Sequence, residues 1–152
     1  MIKRITNKSD FKKVLDDLLD LFDFENENEA HHFLRYNKEY IYNAFSDEAL
    51  LTWNFFLWAN INVDNKFDAM IAFVNNRSEK YGEEIFSEYI WLSKQSSMGY
   101  KLLATALKFA KEKEFKYVTM NRVMKHPKSD KVARFYEKMG FVKDTETYIA
   151  KI

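Results

Sequence analysis

Two stretches of this chain carry residue types and spacings suited to chemistry. The first is Lys94-Gln95-Ser96-Ser97-Met98-Gly99, a polar run between a strand pattern and a strong helix pattern. A chain that leaves a strand and enters a helix through small residues exposes free N–H groups there. The helix dipole adds partial positive charge, so such a turn suits a phosphate. Lys94 and Lys101 would reinforce that field, Gly99 lacks a Cβ that would hold an anion away, and Ser96 and Ser97 offer capping hydroxyls. The same residues also suit an ordinary capped helix with lysines nearby, and both readings stand at this level. The second stretch runs from Ala133 to Phe141 and holds Tyr136 beside an apolar face. Its phenol reads either as a core tyrosine with a satisfied hydroxyl or as a proton donor to a leaving group.

Other chemistries are poorly supplied. Cysteine is absent, which removes disulfides, thiolate nucleophiles and cysteine metal sites together. Of three histidines only His31 and His32 are close in sequence. Neighbours on a helix point about 100° apart, so that pair does not present two ligands on one face, and no metal is expected. Net charge is +1, from 24 basic and 23 acidic residues, which lacks the basic excess of a dedicated nucleic-acid binder. The N-terminus has no apolar block of signal-peptide length, and no window approaches the ~20 apolar residues of a membrane span. The chain is therefore expected to be cytoplasmic, with neither nucleic acid nor membrane as partner. Its 152 residues, 47% of them hydrophobic, suffice for the core of one domain, residues 1–152.

The elements that must position these residues follow from periodicity. Ile2–Thr6 reads as a short strand, and Phe11, Val14, Leu15, Leu18, Leu19 and Phe22 form one stripe of an amphipathic helix. Asp23–Glu29 reads as an acidic loop, and Ala30–Phe45 as a second helix with Phe33, Leu34, Tyr40, Ile41 and Phe45 inward. Leu51–Ile61 alternates with period two, and Phe56 and Trp58 make its second face apolar as well. Phe67–Val74 and Glu83–Leu92 complete an antiparallel meander, with polar turns at Val63–Lys66 and Asn75–Gly82. A helix bearing Leu102, Leu103, Ala106, Leu107 and Ala110 on one face follows, then a strand over Phe115–Val123. The loop His126–Asp130 leads into a helix with Val132, Phe135, Tyr136 and Met139 inward, ended by Gly140 at C′. Val142–Ile152 reads as one or two closing strands, with Tyr148, Ala150 and Ile152 alternating.

The order strand, phosphate-type turn, helix, strand and helix resembles the GNAT superfamily of N-acetyltransferases. Two motifs carry the resemblance. Lys94–Gly99 falls on the family's R/Q-x-x-G-x-G/A turn, with Gly99 on its last small residue, Lys94 in place of Arg or Gln, and Ser97 in place of Gly. Asp130, Ala133, Phe135, Tyr136, Glu137, Lys138, Gly140 and Phe141 match the later N-x-x-A-x-x-F-Y-E-K-x-G-F run, with Asp130 replacing Asn. The resemblance covers Glu83–Phe141 and agrees in element order over the whole chain.

The resemblance implies an α/β fold: a central, mostly antiparallel sheet of about six or seven strands, splayed between the fourth and fifth, with helices on both faces. It implies acetyl-CoA as co-substrate, its pantetheine arm pairing with backbone near Leu92. The pyrophosphate would lie on the amides of Gln95, Ser97, Gly99 and Tyr100 within the Lys94-Gln95-Ser96-Ser97-Met98-Gly99-Tyr100 segment, with Asp130 and Tyr136 also at the cofactor. It implies direct attack of an amine on the thioester, with Tyr136 protonating the thiolate. Strand alternation puts Glu84, Phe86, Glu88, Ile90 and Leu92 on one face, and Glu88 lies nearest the centre as the family's proton-relaying carboxylate or else as an ion-paired surface glutamate. The amine acceptor is a small molecule or a protein, and the acidic Asp23–Glu29 segment suits a cation such as a polyamine, an aminoglycoside or a lysine side chain. A GNAT-fold binding module without turnover, or a transferase of a longer acyl group, are the competing expectations. Homodimers are common in the family, and no interface is marked in the sequence.

Overall fold

A computed structural model of the chain describes residues 1–28, 35–52, 54–122, 126–148 and 150–152. The expected roles of His31, His32, Phe33, Leu34, Trp53 and Val123 therefore lie outside the described residues. Five strands form one sheet in the order β1 (Ile2–Ile5), β2 (Phe55–Ile61), β3 (Phe67–Ser78), β4 (Glu83–Ser93) and β5 (Tyr117–Thr119). The first four run antiparallel, and β5 lies parallel to β4. No helix among the described residues is long and apolar enough to cross a membrane.

Helices cover both faces, as expected from the double apolar character of Leu51–Ile61. On one face α1 (Lys8–Asp17), α2 (Leu19–Asn28), α3 (Lys38–Ala44) and α4 (Asp47–Leu51) pack Phe11, Leu15, Leu18 and Leu50 against Phe55, Leu57, Met70 and Ile90. On the other, α5 (Ser96–Glu112) and α6 (Ser129–Lys138) bring Leu102, Leu103, Ala106 and Tyr136 onto Phe56, Trp58, Phe73 and Phe86. Asn7, Asn37 and Ser46 cap α1, α3 and α4 with side-chain oxygens that accept from the third residue on. Gly140 stands at C′ of α6 with φ +86°, and the Gly140 and Phe141 amides donate to Glu137 and Tyr136 carbonyls. That double bond with its Phe141–Tyr136 ring contact is a Schellman stop.

Several expectations need correction. Asp23–Asn28 is helical, because α1 only pauses at Leu18 before α2 resumes with Phe22 buried. The expected helix over Ala30–Phe45 is confined, among the described residues, to Lys38–Ala44, with Asn37 as its cap. The start of the second strand pattern is taken by α4. The β3–β4 hairpin continues past Val74, pairing Asn75–Ser78 with Phe86–Glu83. The sheet has five strands among the described residues, not six or seven. Beyond Phe141 the described residues form no strand, and Val142 and Tyr148 are 87% and 88% exposed, so their apolar surface finds no partner that would order a strand.

A further difference matters for the site. Ala72 pairs with Ile90 but Phe73 pairs with Glu88, which leaves Tyr89 as an extra, bulged residue in β4. The bulge breaks the simple alternation, so Phe86 faces α5 while Ile90 and Leu92 face α1. Glu84, Phe86, Glu88, Ile90 and Leu92 do not share a face.

Candidate functional site

The β4–β5 pairing covers only Ile85–Tyr117, Phe86–Val118 and Ser87–Thr119. Past that point β4 continues to Ser93, bending at the Tyr89 bulge, while β5 ends. The two chains part, and side chains bridge the gap where backbone bonds stop. The Asn121 amide donates to Glu88 Oε2 at 2.7 Å, and Asn121 Nδ2 to the Glu88 carbonyl at 3.2 Å. From the α6 side the Tyr136 hydroxyl donates to the Asn121 carbonyl at 2.9 Å. Arg122 is fastened to the start of α6, with Nε donating to the buried Ser129 hydroxyl at 2.8 Å and Nη2 to Asp130 at 2.7 Å.

A cleft of about 400 Å³ opens at this parting. It is lined by Ser96, Gly99 and Tyr100 of α5 and by Lys128, Ser129, Lys131 and Val132 around the start of α6. Glu25, Arg35, Tyr36, Glu88, Tyr89, Trp91, Ser93, Asn121, Arg122, His126 and Tyr136 complete the lining.

The entrance of α5 differs in detail from its sequence reading. Gln95 is the N-cap, and its side chain makes no capping bond. Ser96 and Ser97 lie inside the helix and do not cap it. The Gln95 amide donates to Ser93 Oγ at 3.3 Å, and the Met98 and Gly99 amides both donate to the Gln95 carbonyl at 3.1 Å. Tyr100 is a further residue into the helix, beyond the amides a helix start leaves open. The Ser96 and Ser97 amides thus remain as the ones without an intrahelical acceptor, so of the expected Gln95, Ser97, Gly99 and Tyr100 only Ser97 is kept and Ser96 is added.

Gly99 is buried for a packing reason. A Cβ there would lie 3.1 Å from Trp91 Nε1 and 3.2 Å from Ser93 Cβ, so the missing methyl lets α5 seat on β4. Trp91 Nε1 is itself buried with no acceptor among the described residues. Lys128 Nζ reaches Ser96 Oγ at 3.4 Å, bringing a cation to the open amides.

Of the residues singled out in the sequence, the cleft gathers Glu88, Ser96, Gly99, Tyr100 and Tyr136. Lys94, Gln95 and Ser97 are exposed and do not line it, Met98 packs between α5 and the sheet, and the Leu92 side chain is buried in the core on the α1 face. Asp130 is exposed and holds Arg122. Lys128, Lys131 and Arg122 escaped the sequence reading because isolated basic residues in a loop or on an exposed helix turn carry no spacing signal. His126 and Ser129 lay in a loop whose helix-start chemistry was visible, but its place beside β4 was not.

Tyr136 is almost fully buried, in tilted ring contact with Phe135 and Phe141, and Phe135 in turn stacks on Tyr100 at 4.2 Å. Burial first, then the Glu88 carboxylate and Tyr100, push its phenol far above the ordinary tyrosine value. The hydroxyl therefore keeps its proton. Burial, with Tyr40 adding to it, likewise raises the Tyr89 phenol.

No protein-family model and no curated protein matches this sequence. Solved structures do match it in shape. The aminoglycoside acetyltransferase meta-AAC0020 from an uncultured soil metagenomic sample superposes with TM-score 0.68 at 17% identity, over 100% of this chain and 95% of that one. This chain has the GNAT acetyltransferase fold. A GNAT family acetyltransferase of Staphylococcus aureus gives TM-score 0.65 at 18% identity, covering 100% and 98% of the two chains. An acetyltransferase of Trypanosoma brucei gives 0.67 at 13%, covering 100% and 99%.

Proposed function

We propose that this chain is an acetyl-CoA-dependent N-acetyltransferase that moves the acetyl group to an amine by direct attack on the thioester. The observation that carries the proposal is the meeting of an uncapped helix entrance, Lys128 and parted parallel strands in one cleft. The residues present fit the co-substrate. The Ser96 and Ser97 amides with Lys128 and Lys131 would hold the diphosphate, since open amides and cations together favour phosphate oxygens. The β4 edge beyond Ser87 has no β5 partner and would accept the pantetheine amides as a strand accepts a neighbour.

Within that frame, orientation is the chief service, because two reactants held in line react as one. Glu88 lies at the floor of the gap and would take a proton from the amine as the C–N bond forms. As the C–S bond breaks, the developing negative charge on sulfur would draw the Tyr136 hydrogen bond away from the Asn121 carbonyl. A phenol this weakly acidic serves chiefly as a hydrogen-bond donor. Complete proton transfer to a thiolate, whose conjugate thiol titrates near 8.5, is uphill at about 1.4 kcal/mol per unit of difference.

The test is titration of acetyl-CoA into the purified chain, followed by thiol release with a panel of amines. Ligand at roughly a hundredfold its dissociation constant adds about 2.7 kcal/mol, worth roughly 5–10 °C in melting temperature for a chain of this size. No heat and no melting shift would remove the proposal. Binding without thiol release would leave a binding module.

A further inference from the structure

The cleft adjoins a second lobe of about 240 Å³, which shares Arg35, Tyr36 and Tyr89 with the first and adds Tyr40. For scale, an apolar cavity of about 150 Å³ accepts benzene. Its aromatic walls are fixed in advance. Tyr36 is held edge-on by Phe22 at 5.7 Å, and Tyr89 is held by Phe45 at 5.2 Å and Phe55 at 5.8 Å. Rings locked by the core offer contact area at little entropic cost on binding.

Among the described lining residues Arg35 is the one charge of the second lobe, and around the first lobe Glu25 and Glu88 stand with Arg35, Arg122, Lys128 and Lys131. Glu25 already has a partner: His126 Nδ1 accepts the Lys128 amide at 3.1 Å, so Nε2 carries the proton and donates to the Glu25 carboxylate at 3.2 Å. Both side chains of that pair are largely buried. The described lining thus holds four cations against two carboxylates, an excess of positive charge that disfavours a polycation. A single amine nitrogen can face Glu88. A second or third would meet Arg35 or an aromatic wall, and a desolvated cation without a partner is disfavoured.

We infer that the acceptor is a primary monoamine carried on an aromatic or similarly flat apolar group, seated between Tyr36 and Tyr89 with its nitrogen toward Glu88, and not a polycation. The inference rests on the acetyl-transfer reading and narrows it.

The experiment compares 2-phenylethylamine, n-hexylamine, spermidine and kanamycin as acceptors for the unmodified chain with acetyl-CoA, reading kcat/KM from thiol release. The expected result is a value for 2-phenylethylamine roughly 2–10-fold above hexylamine, the range of an aromatic pair, and at least about tenfold above both polycations. Spermidine or kanamycin equal to or above 2-phenylethylamine overturns the inference while acetyl transfer stands. If no amine releases thiol, saturation-transfer NMR on the same chain separates the two readings. Ring-proton transfer from 2-phenylethylamine that spermidine does not displace supports the aromatic site even as turnover fails, and absence of that transfer overturns it. Arg35→Glu, on an exposed side chain, should raise spermidine relative to 2-phenylethylamine by about fivefold or more, as two added negative charges near a rim would; an unchanged ratio counts against the charge argument.

Discussion

Tyr136→Phe tests how much of the site's chemistry depends on one hydroxyl. Its bond to the Asn121 carbonyl is 2.9 Å long, and the ring is fixed by Phe135 and Phe141, so the substitution deletes one oxygen with little repacking. Asn121 is exposed, and water can reach its carbonyl. The stability loss should then sit near the ordinary net value of a hydrogen bond, about 0.5–1.5 kcal/mol, or roughly 1–6 °C in melting temperature. If the hydroxyl stabilises the departing thiolate, kcat should fall by roughly 10²–10⁴-fold, worth about 3–5 kcal/mol. The catalytic loss would far exceed the structural one, and acetyl-CoA affinity should change little. The pH dependence follows from the direction of the phenol's shift. Because burial and Glu88 raise it, the folded state keeps the proton, and that contribution to stability is complete below the unfolded value near 10 and is lost only as pH rises beyond it. The ratio of wild-type to variant kcat should therefore be flat from about pH 6 to pH 9. Steady-state kinetics across that range, with calorimetry of both proteins, is the assay. An unchanged kcat reduces Tyr136 to packing, and a ratio that falls steeply as pH rises refutes the raised phenol.

Two further substitutions probe its neighbours. Glu88→Gln keeps an oxygen that can accept the Asn121 amide, so melting should move little while kcat/KM falls roughly a hundredfold and loses its acidic limb; an unaltered pH–rate profile removes Glu88 as the base. Arg122→Ala strips the buried Ser129 hydroxyl of its donor and should cost about 1–2 kcal/mol in urea denaturation, whereas Asp130→Asn, on a side chain 84% exposed, should be near neutral. Equal losses from the two would show that the exposed ion pair, not Ser129, anchors the segment.

The sequence exposed the frame of this fold better than its edges. Period-two runs located β2, β3 and β4, and the Leu102–Ala110 stripe located α5, because both faces of the sheet are apolar and the helix is long. Gly140 announced the end of α6 because a left-handed C′ position favours glycine. The Tyr89 bulge was not legible, since one extra residue changes the face of everything after it without changing composition. The three-residue length of β5 was hidden for a related reason: Phe115, Val118 and Met120 pack against α5 or α6 whether or not the strand is paired. Tyr136 and Glu88 were singled out through a motif and a strand position, and both line the cleft. The cations Arg122, Lys128 and Lys131 became visible only when the loop after β5 folded back over the start of α5.

The parting of β4 from β5 is itself a problem in hydrogen bonding, and its solution joins structure to chemistry. Parallel neighbours would ordinarily supply partners for each strand's amides and carbonyls, and groups left without them are disfavoured when water is excluded. At Asn121 both backbone groups are answered by side chains: the amide by Glu88 from β4, the carbonyl by Tyr136 from α6. A strand satisfied in this way has less need of a backbone partner past Thr119. The carboxylate and phenol proposed to handle protons are thus the same groups that bridge the gap at Asn121. Each can serve a passing substrate only by loosening its hold on Asn121, and those same hydrogen bonds fix where both side chains lie.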